Sequence, residues 1–134
     1  MRLPSKVMLL SWASAFWLLT AMSSLPALAG DHGGGGGGPE PLAFTVNVGN
    51  QNYLQFGVVL ESATPEMAAQ VSAYKPKIAH EIILLLSGKR AEVLRTLEGK
   101  KALIEEIVEI ANHAIGQTAK TGVHEALFSN FIIQ

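Results

Sequence analysis

The chain has 134 residues, room for one folded domain, with ten basic and eleven acidic side chains and a net charge of −1. Beyond the first 29 residues, eight bases face all eleven acids, so no basic face is available for nucleic acid. The absence of cysteine excludes a disulfide framework and thiolate metal sites, and the hydrophobic content of 49% is high for a soluble domain.

Part of that excess sits at the N-terminus. Arg2 and Lys6 form a short positive region, and Val7 to Met22 is an apolar run broken only by Ser11, Ser14 and Thr20. Pro26 then precedes Ala27-Leu28-Ala29 and Gly30. Small residues at Ala27 and Ala29, behind a helix-breaking proline, make a signal-peptidase site. The same stretch, Val7 to Ala29, is also long enough to serve as an uncleaved anchor across a hydrocarbon core of about 30 Å. Both readings of residues 1–29 stay open. Either one keeps Arg2 and Lys6 on the cytoplasmic side and exports the domain.

Residues 30–41, GDHGGGGGGPEP, form a flexible linker, because glycine loses the most backbone entropy on ordering. As a coil this linker spans on the order of 20 Å. A phosphate-cradling loop would need a flanking strand, a helix and a Lys-Ser/Thr pair at set spacing. Those are absent here, and also around Gly88-Lys89-Arg90 and Gly99-Lys100-Lys101. His32 reads as a solvated side chain in a tether.

The folded part is expected over 42–134. Leu42 to Val48 alternates apolar and polar residues with period two, as a half-buried strand does. Gly49-Asn50-Gln51-Asn52 supplies turn residues, and Tyr53 to Glu61 alternates again to complete a hairpin. Gly57 marks a bulge or a close backbone approach. Thr64 caps a helix that opens with Pro65. Its stripe of Met67, Val71, Tyr74 and Ile78 runs past Pro76, giving one kinked helix or two abutting ones. Ile82, Ile83, Leu85 and Leu86 continue the buried side, whereas Leu84 falls among Lys77, His80 and Glu81 on the polar side and calls for a partner. Ser87-Gly88 ends this helix. A short helix over Arg90 to Leu97 leads to Gly99 and a long amphipathic one. Leu103, Ile104, Ile107, Val108, Ile110, Ala111, Ala114 and Ile115 fill one arc of roughly 160°. Glu105, Glu106, Glu109, Asn112, His113, Gly116 and Gln117 fill the other.

The last strand, Val123 to Gln134, is apolar on both faces by simple alternation. Val123, Leu127, Phe131 and Ile133 fall on one side, and Ala126, Phe128 and Ile132 on the other. The pattern as a whole predicts an α+β domain: a sheet of about three strands, the hairpin plus the C-terminal strand, with two or three helices packed on it. Such a sheet has an open face, and monomers rarely expose large apolar patches. Self-association or docking on a partner is therefore expected, with Leu84, Leu127, Phe128, Phe131 and Ile132 as the interface.

Chemistry finds no foothold. Glu105, Glu106 and Glu109 read as a wet helix face rather than an acid/base pair. The bases Lys89, Arg90, Arg95, Lys100 and Lys101 read as a solvated face balanced by Glu92 and Glu98 rather than as an anionic-lipid or partner site. His80, His113 and His124 lie on three elements without metal-ligand spacing. There is no nucleophile elbow. No catalytic residue, cofactor or metal is expected.

From Tyr53 onward the chain resembles the FliL family of flagellar basal-body-associated proteins. The matching residues are Tyr53-Leu54 with Val58, Leu60 and Glu61, and Pro76 and Ile78 followed by Ile82, Ile83, Leu86 and Ser87. Further on come Leu94, Thr96, Gly99, Leu103, Glu106-Ile107 and Asn112. Val123, Leu127-Phe128 and Phe131-Ile132-Ile133-Gln134 complete the set. The resemblance implies a periplasmic domain similar to the stomatin-type (SPFH) fold, forming a ring-like homo-oligomer around the flagellar stator proteins MotA and MotB. Support of torque, swarming and chemotactic motility goes with it. Pro76, Gly99, Asn112 and Gln134 are then structural positions. Two departures stand out: the short positive region with a cleavage site after its apolar run, and Ala79-His80 where the family has a basic residue. An alternative is a soluble periplasmic oligomerising or binding module of the same fold with no flagellar role.

Overall fold

A computed structural model of the chain describes residues 38–134; Ala27, Ala29, His32 and most of the linker lie outside them. Strand β1 (Leu42–Val48) buries Leu42, Phe44, Val46 and Val48 and exposes the residues between, as its alternation requires. Gly49, at φ 65°, turns the chain into β2 (Asn52–Ser62), and the two pair antiparallel from Leu42↔Val58 to Val48↔Asn52. Strand β3 (Val123–Ile133) pairs antiparallel with the other edge of β2, so the order is β1-β2-β3 and the C-terminal strand lies beside the middle of the sheet. Backbone bonds between Tyr53 and Gln134, at 2.8 and 2.9 Å, extend this ladder to the last residue.

Gly57 marks a bulge, and side chains rather than another backbone close on it. The β2–β3 register shifts between Gly57 and Val58, and a Cβ on Gly57 would collide with the Ser129 hydroxyl. The bare glycine lets the bulged strand close over it.

Four helices, rather than two or three, pack on one face of the sheet. Helix α1 (Pro65–Ala73) is capped by Thr64, whose hydroxyl accepts the Met67 N–H at 3.3 Å. Only Tyr74 separates it from α2 (Lys75–Ser87), so the apolar stripe crosses two abutting helices with Pro76 in the first turn of the second. The short helix is α3 (Ala91–Arg95), ended by extended Thr96. Thr96 in turn caps α4 (Leu97–Ile115), which therefore starts two residues before Gly99. Gly116, left-handed at φ 67°, closes α4.

Between these layers lies a single core. Phe44 and Phe56 stack at 4.8 Å, with Ile78, Ile82 and Leu86 from α2, Leu94 from α3, and Leu103, Ile107 and Ala111 from α4. Each large side chain buried here contributes about 1.5–3 kcal/mol. Two placements differ from the helical-wheel expectation. Ile83 is 41% exposed, because the Ile78–Ile82–Leu86 stripe takes the inward positions and leaves it to one side. Asn112, expected on the wet arc, is buried, because its side chain satisfies β3 backbone groups rather than water.

Candidate interaction surface

The sheet has one covered and one open face. Along the open face the register sets Val59 beside Leu127, Gly57 beside Asn130, Gln55 beside Ile132, and Glu61 beside Glu125. Tyr53, Leu127 and Ile132 project there, 57%, 40% and 46% exposed, among Thr45, Asn47 and Gln55. The surface is mixed, with its apolar side chains in two clusters separated by the glycine–asparagine row.

This corrects the two-faced reading of the last strand. Two register irregularities in the β2–β3 pairing, beside Gly57 and beside Ser62, interrupt strict alternation. Between Phe128, opposite Val58, and Phe131, opposite Phe56, the bulge inserts one extra residue. Both phenylalanines consequently point inward: Phe128 meets Phe56 edge-on at 5.8 Å and Phe131 at 4.9 Å. They are half-buried and packed on the core together with Ile133. Of the five expected interface residues, Leu127 and Ile132 therefore stand on the open sheet face and Phe128 and Phe131 do not. Leu84, 59% exposed on α2, belongs to the helical layer on the opposite side. The structure brings no more than two of the five to one surface.

The helical layer also exposes Ile83, Val93 and Leu97, the last two at 45% and 62%. Sequence reasoning passed over Val93 and Leu97. The signal was available in α3, where burying Ala91 and Leu94 turns Val93 outward.

The basic cluster is largely consumed within the domain. The Lys89 ammonium lies 2.7 Å from Oε1 and 2.6 Å from Oε2 of Glu106; Oε2, though buried, is matched by charge rather than by an aligned hydrogen bond. Arg90 pairs with Glu92 at 3.7 Å, Arg95 donates to Asn52 at 3.4 Å, and Lys100 stands 5.3 Å over the Phe131 ring. The last of these covers a half-buried aromatic with a cation. Glu106 thus belongs to an ion pair that joins the α2–α3 connection to α4, not to a carboxylate pair. His124 faces Glu61 at 3.6 Å, and among the described residues no group of three or more His, Asp or Glu side chains could hold a metal.

Two of the expected structural positions, Asn112 and Gly99, make close contacts. Asn112 donates from Nδ2 to the Val123 carbonyl at 2.7 Å and accepts the Val123 N–H on Oδ1 at 2.8 Å. Gly99 donates to Thr96 Oγ1 at 3.0 Å, and a Cβ there would collide with the Val93 carbonyl. Among the described residues no helix is long and apolar enough to cross a membrane.

Comparison with known proteins bears on what this surface serves. The family model described as "Flagellar basal body-associated protein FliL" matches residues 41–134, the whole of the sheet and helices. The flagellar protein FliL of Escherichia coli strain K12 is 33% identical over 103 residues, covering 72% of this chain and 67% of its own length. That of Aquifex aeolicus strain VF5 is 29% identical over 94 residues, covering 68% and 56%.

Proposed function

The chain belongs to the FliL family of flagellar basal body-associated proteins, and from that footing we propose that it works by assembly, as a ring-forming companion of the MotA/MotB stator that supports torque and swarming. FliL is a structural and accessory family, not an enzyme family, and flagellar basal-body association goes with membership. The observation that carries the proposal is the span of the match, which takes in every strand and helix of the described domain.

Ring assembly gives the exposed apolar residues a purpose. A head-to-tail ring joins two different patches of the same chain, whereas a two-fold dimer joins one patch to itself. Leu127 and Ile132 on the open sheet face, and Leu84 with Ile83 on the helical side, are two such patches on opposite layers. The stomatin-type (SPFH) likeness of the fold, placement in the periplasm and anchorage by the N-terminal stretch to the inner membrane belong to the same reading. Ala27 and Ala29 favour a second reading, in which the leader is removed and the domain is released to the periplasm.

A chromosomal deletion scored for swimming and swarming, with the protein's mass and cell fraction read by blot, tests both. Loss of swarming in the deletion strain is expected, and full-mass protein in the parent's membrane pellet would favour the anchored form. Normal motility in semi-solid and viscous media would overturn the motor assignment, and a shortened soluble protein would favour the released form.

A further inference from the structure

One cleft is used by neither the sheet surface nor the helical patch. It lies between the segment leading into β1, the end of β2, and helices α1 and α2, has a volume of about 180 Å³, and is walled by Leu42, Leu60 and Val71. An apolar cavity of about 150 Å³ is filled by a molecule of benzene size, and drug-sized ligands need roughly 300–1,000 Å³. This cleft therefore suits a chain of about six carbons.

Glu40, Ser62, Ser72 and Lys75 supply the polar residues of its lining. The Ser62 hydroxyl is cut off from solvent and so does not face the open space of the cleft. The Lys75 ammonium holds the Glu40 carboxylate at 3.3 Å, with the Glu40 side chain 85% exposed. Glu40 sits just ahead of β1 and contributes a carboxylate from the outside, at a cost in surface electrostatics small enough for a competitor to displace it. It shows which charge Lys75 accepts at this position.

We propose that this cleft binds a short-chain aliphatic monocarboxylate, with its chain against Leu42, Leu60 and Val71 and its carboxylate on Lys75 in place of Glu40. Glu40 is then a built-in competitor that keeps the site closed when no ligand is present. This site is independent of the motor assignment and stands or falls apart from it.

Methyl and amide NMR of the full chain in lipid nanodiscs, titrated with hexanoate, tests the site, with empty nanodiscs to subtract partitioning and with hexanol and hexylamine as matched probes. Saturable shifts confined to the cleft are expected with hexanoate and not with hexylamine. Lys75→Met weakens hexanoate binding about tenfold, as loss of a charged hydrogen bond does. Glu40→Gln removes the competitor and tightens it about two- to fivefold. Since Glu40 is exposed, that variant keeps the test open should Lys75→Met fail to fold. Equal binding of hexanol and hexanoate, no tightening in Glu40→Gln, shifts scattered over the surface, or no saturation would each overturn the proposal.

Discussion

The carboxamide of Asn112 grips the backbone of Val123 through both its atoms, donating to the carbonyl at 2.7 Å and accepting the N–H at 2.8 Å. One side chain near the end of α4 thereby fixes the first residue of β3 as it enters the sheet. Asn112→Ala strands two buried backbone groups, each costing about 1–3 kcal/mol. Urea unfolding should show a loss of about 2–4 kcal/mol. Gly122 is coupled to the same clasp, since a Cβ there would collide with Asn112 Oδ1 and lie 2.7 Å from Gln117 Cβ. Gly122→Ala should cost about 1–3 kcal/mol by overpacking, and less than that in an Asn112→Ala background, because the oxygen it strikes is gone.

Gly99 argues for a second substitution. Its place in the first turn of α4 brings it against the carbonyl of Val93, whose carbon would stand 2.7 Å from an added Cβ. The obstacle is backbone held by Thr96, which donates from its hydroxyl to the same carbonyl at 2.7 Å and so cannot give way cheaply. Gly99→Ala should destabilise by about 1–3 kcal/mol, against the gain of some 0.5–1 kcal/mol usual for this exchange in a helix. Thr96→Ala should cost about 1 kcal/mol through loss of the cap. Thermal melts of the two variants separate collision from capping.

Much of the fold was legible because its cues are local. Period-two burial in Leu42–Val48, the Thr64-Pro65 entry and the Ser87-Gly88 stop each act within a few residues. Strand order was not, since either neighbour satisfies the long helical crossover, and the ladder beside β2 is set by tertiary packing. The burial of Asn112 was hidden for a similar reason: a helical wheel sorts by polarity, and its partner lies eleven residues away in another element. The largest miss concerns Phe128 and Phe131. Three apart in a regular strand, they take opposite faces, and Ser129-Asn130 carries no periodic mark of the bulge that reunites them. Only the bareness of Gly57 on the facing strand hinted at it.

Glu66 supplies a pH dependence. It lies fully exposed in the first turn of α1, where its own backbone N–H, and then the Thr64 hydroxyl, hold its carboxyl below the ordinary 4.5. A carboxyl whose folded pKa is depressed contributes stability that is whole above the unfolded value and is lost as pH falls through the folded one. Amide protection in α1 should therefore be flat from neutral pH down to about 4.5 and decline below it. Glu66→Gln should remove this part of the acid response, and Thr64→Ala should move the Glu66 carboxyl resonance's titration midpoint upward. NMR titration of side-chain carboxyl and α1 amide signals reads both.

The bulge at Ser129 divides β3 into residues that hold the domain together and residues that face outward, and substitution can separate the two. Phe128 and Phe131 pack on Phe56, so either one changed to alanine should cost about 1.5–3 kcal/mol on chemical unfolding. Leu127→Asp and Ile132→Asp act on the open face and should stay within about 0.5 kcal/mol of the parent. If the sheet face joins neighbouring copies, these two aspartates, and Leu84→Asp on the other layer, should shift sedimentation toward monomer while the far-ultraviolet spectrum is unchanged. Mixing then distinguishes the kind of interface. In a head-to-tail ring, a copy altered on the sheet face retains an intact helical patch, so a Leu127→Asp chain and a Leu84→Asp chain should pair one-to-one through their undamaged sides and stop there. A two-fold interface built on either patch alone would let one of the two variants self-associate undiminished, and that result would remove the physical basis for a ring.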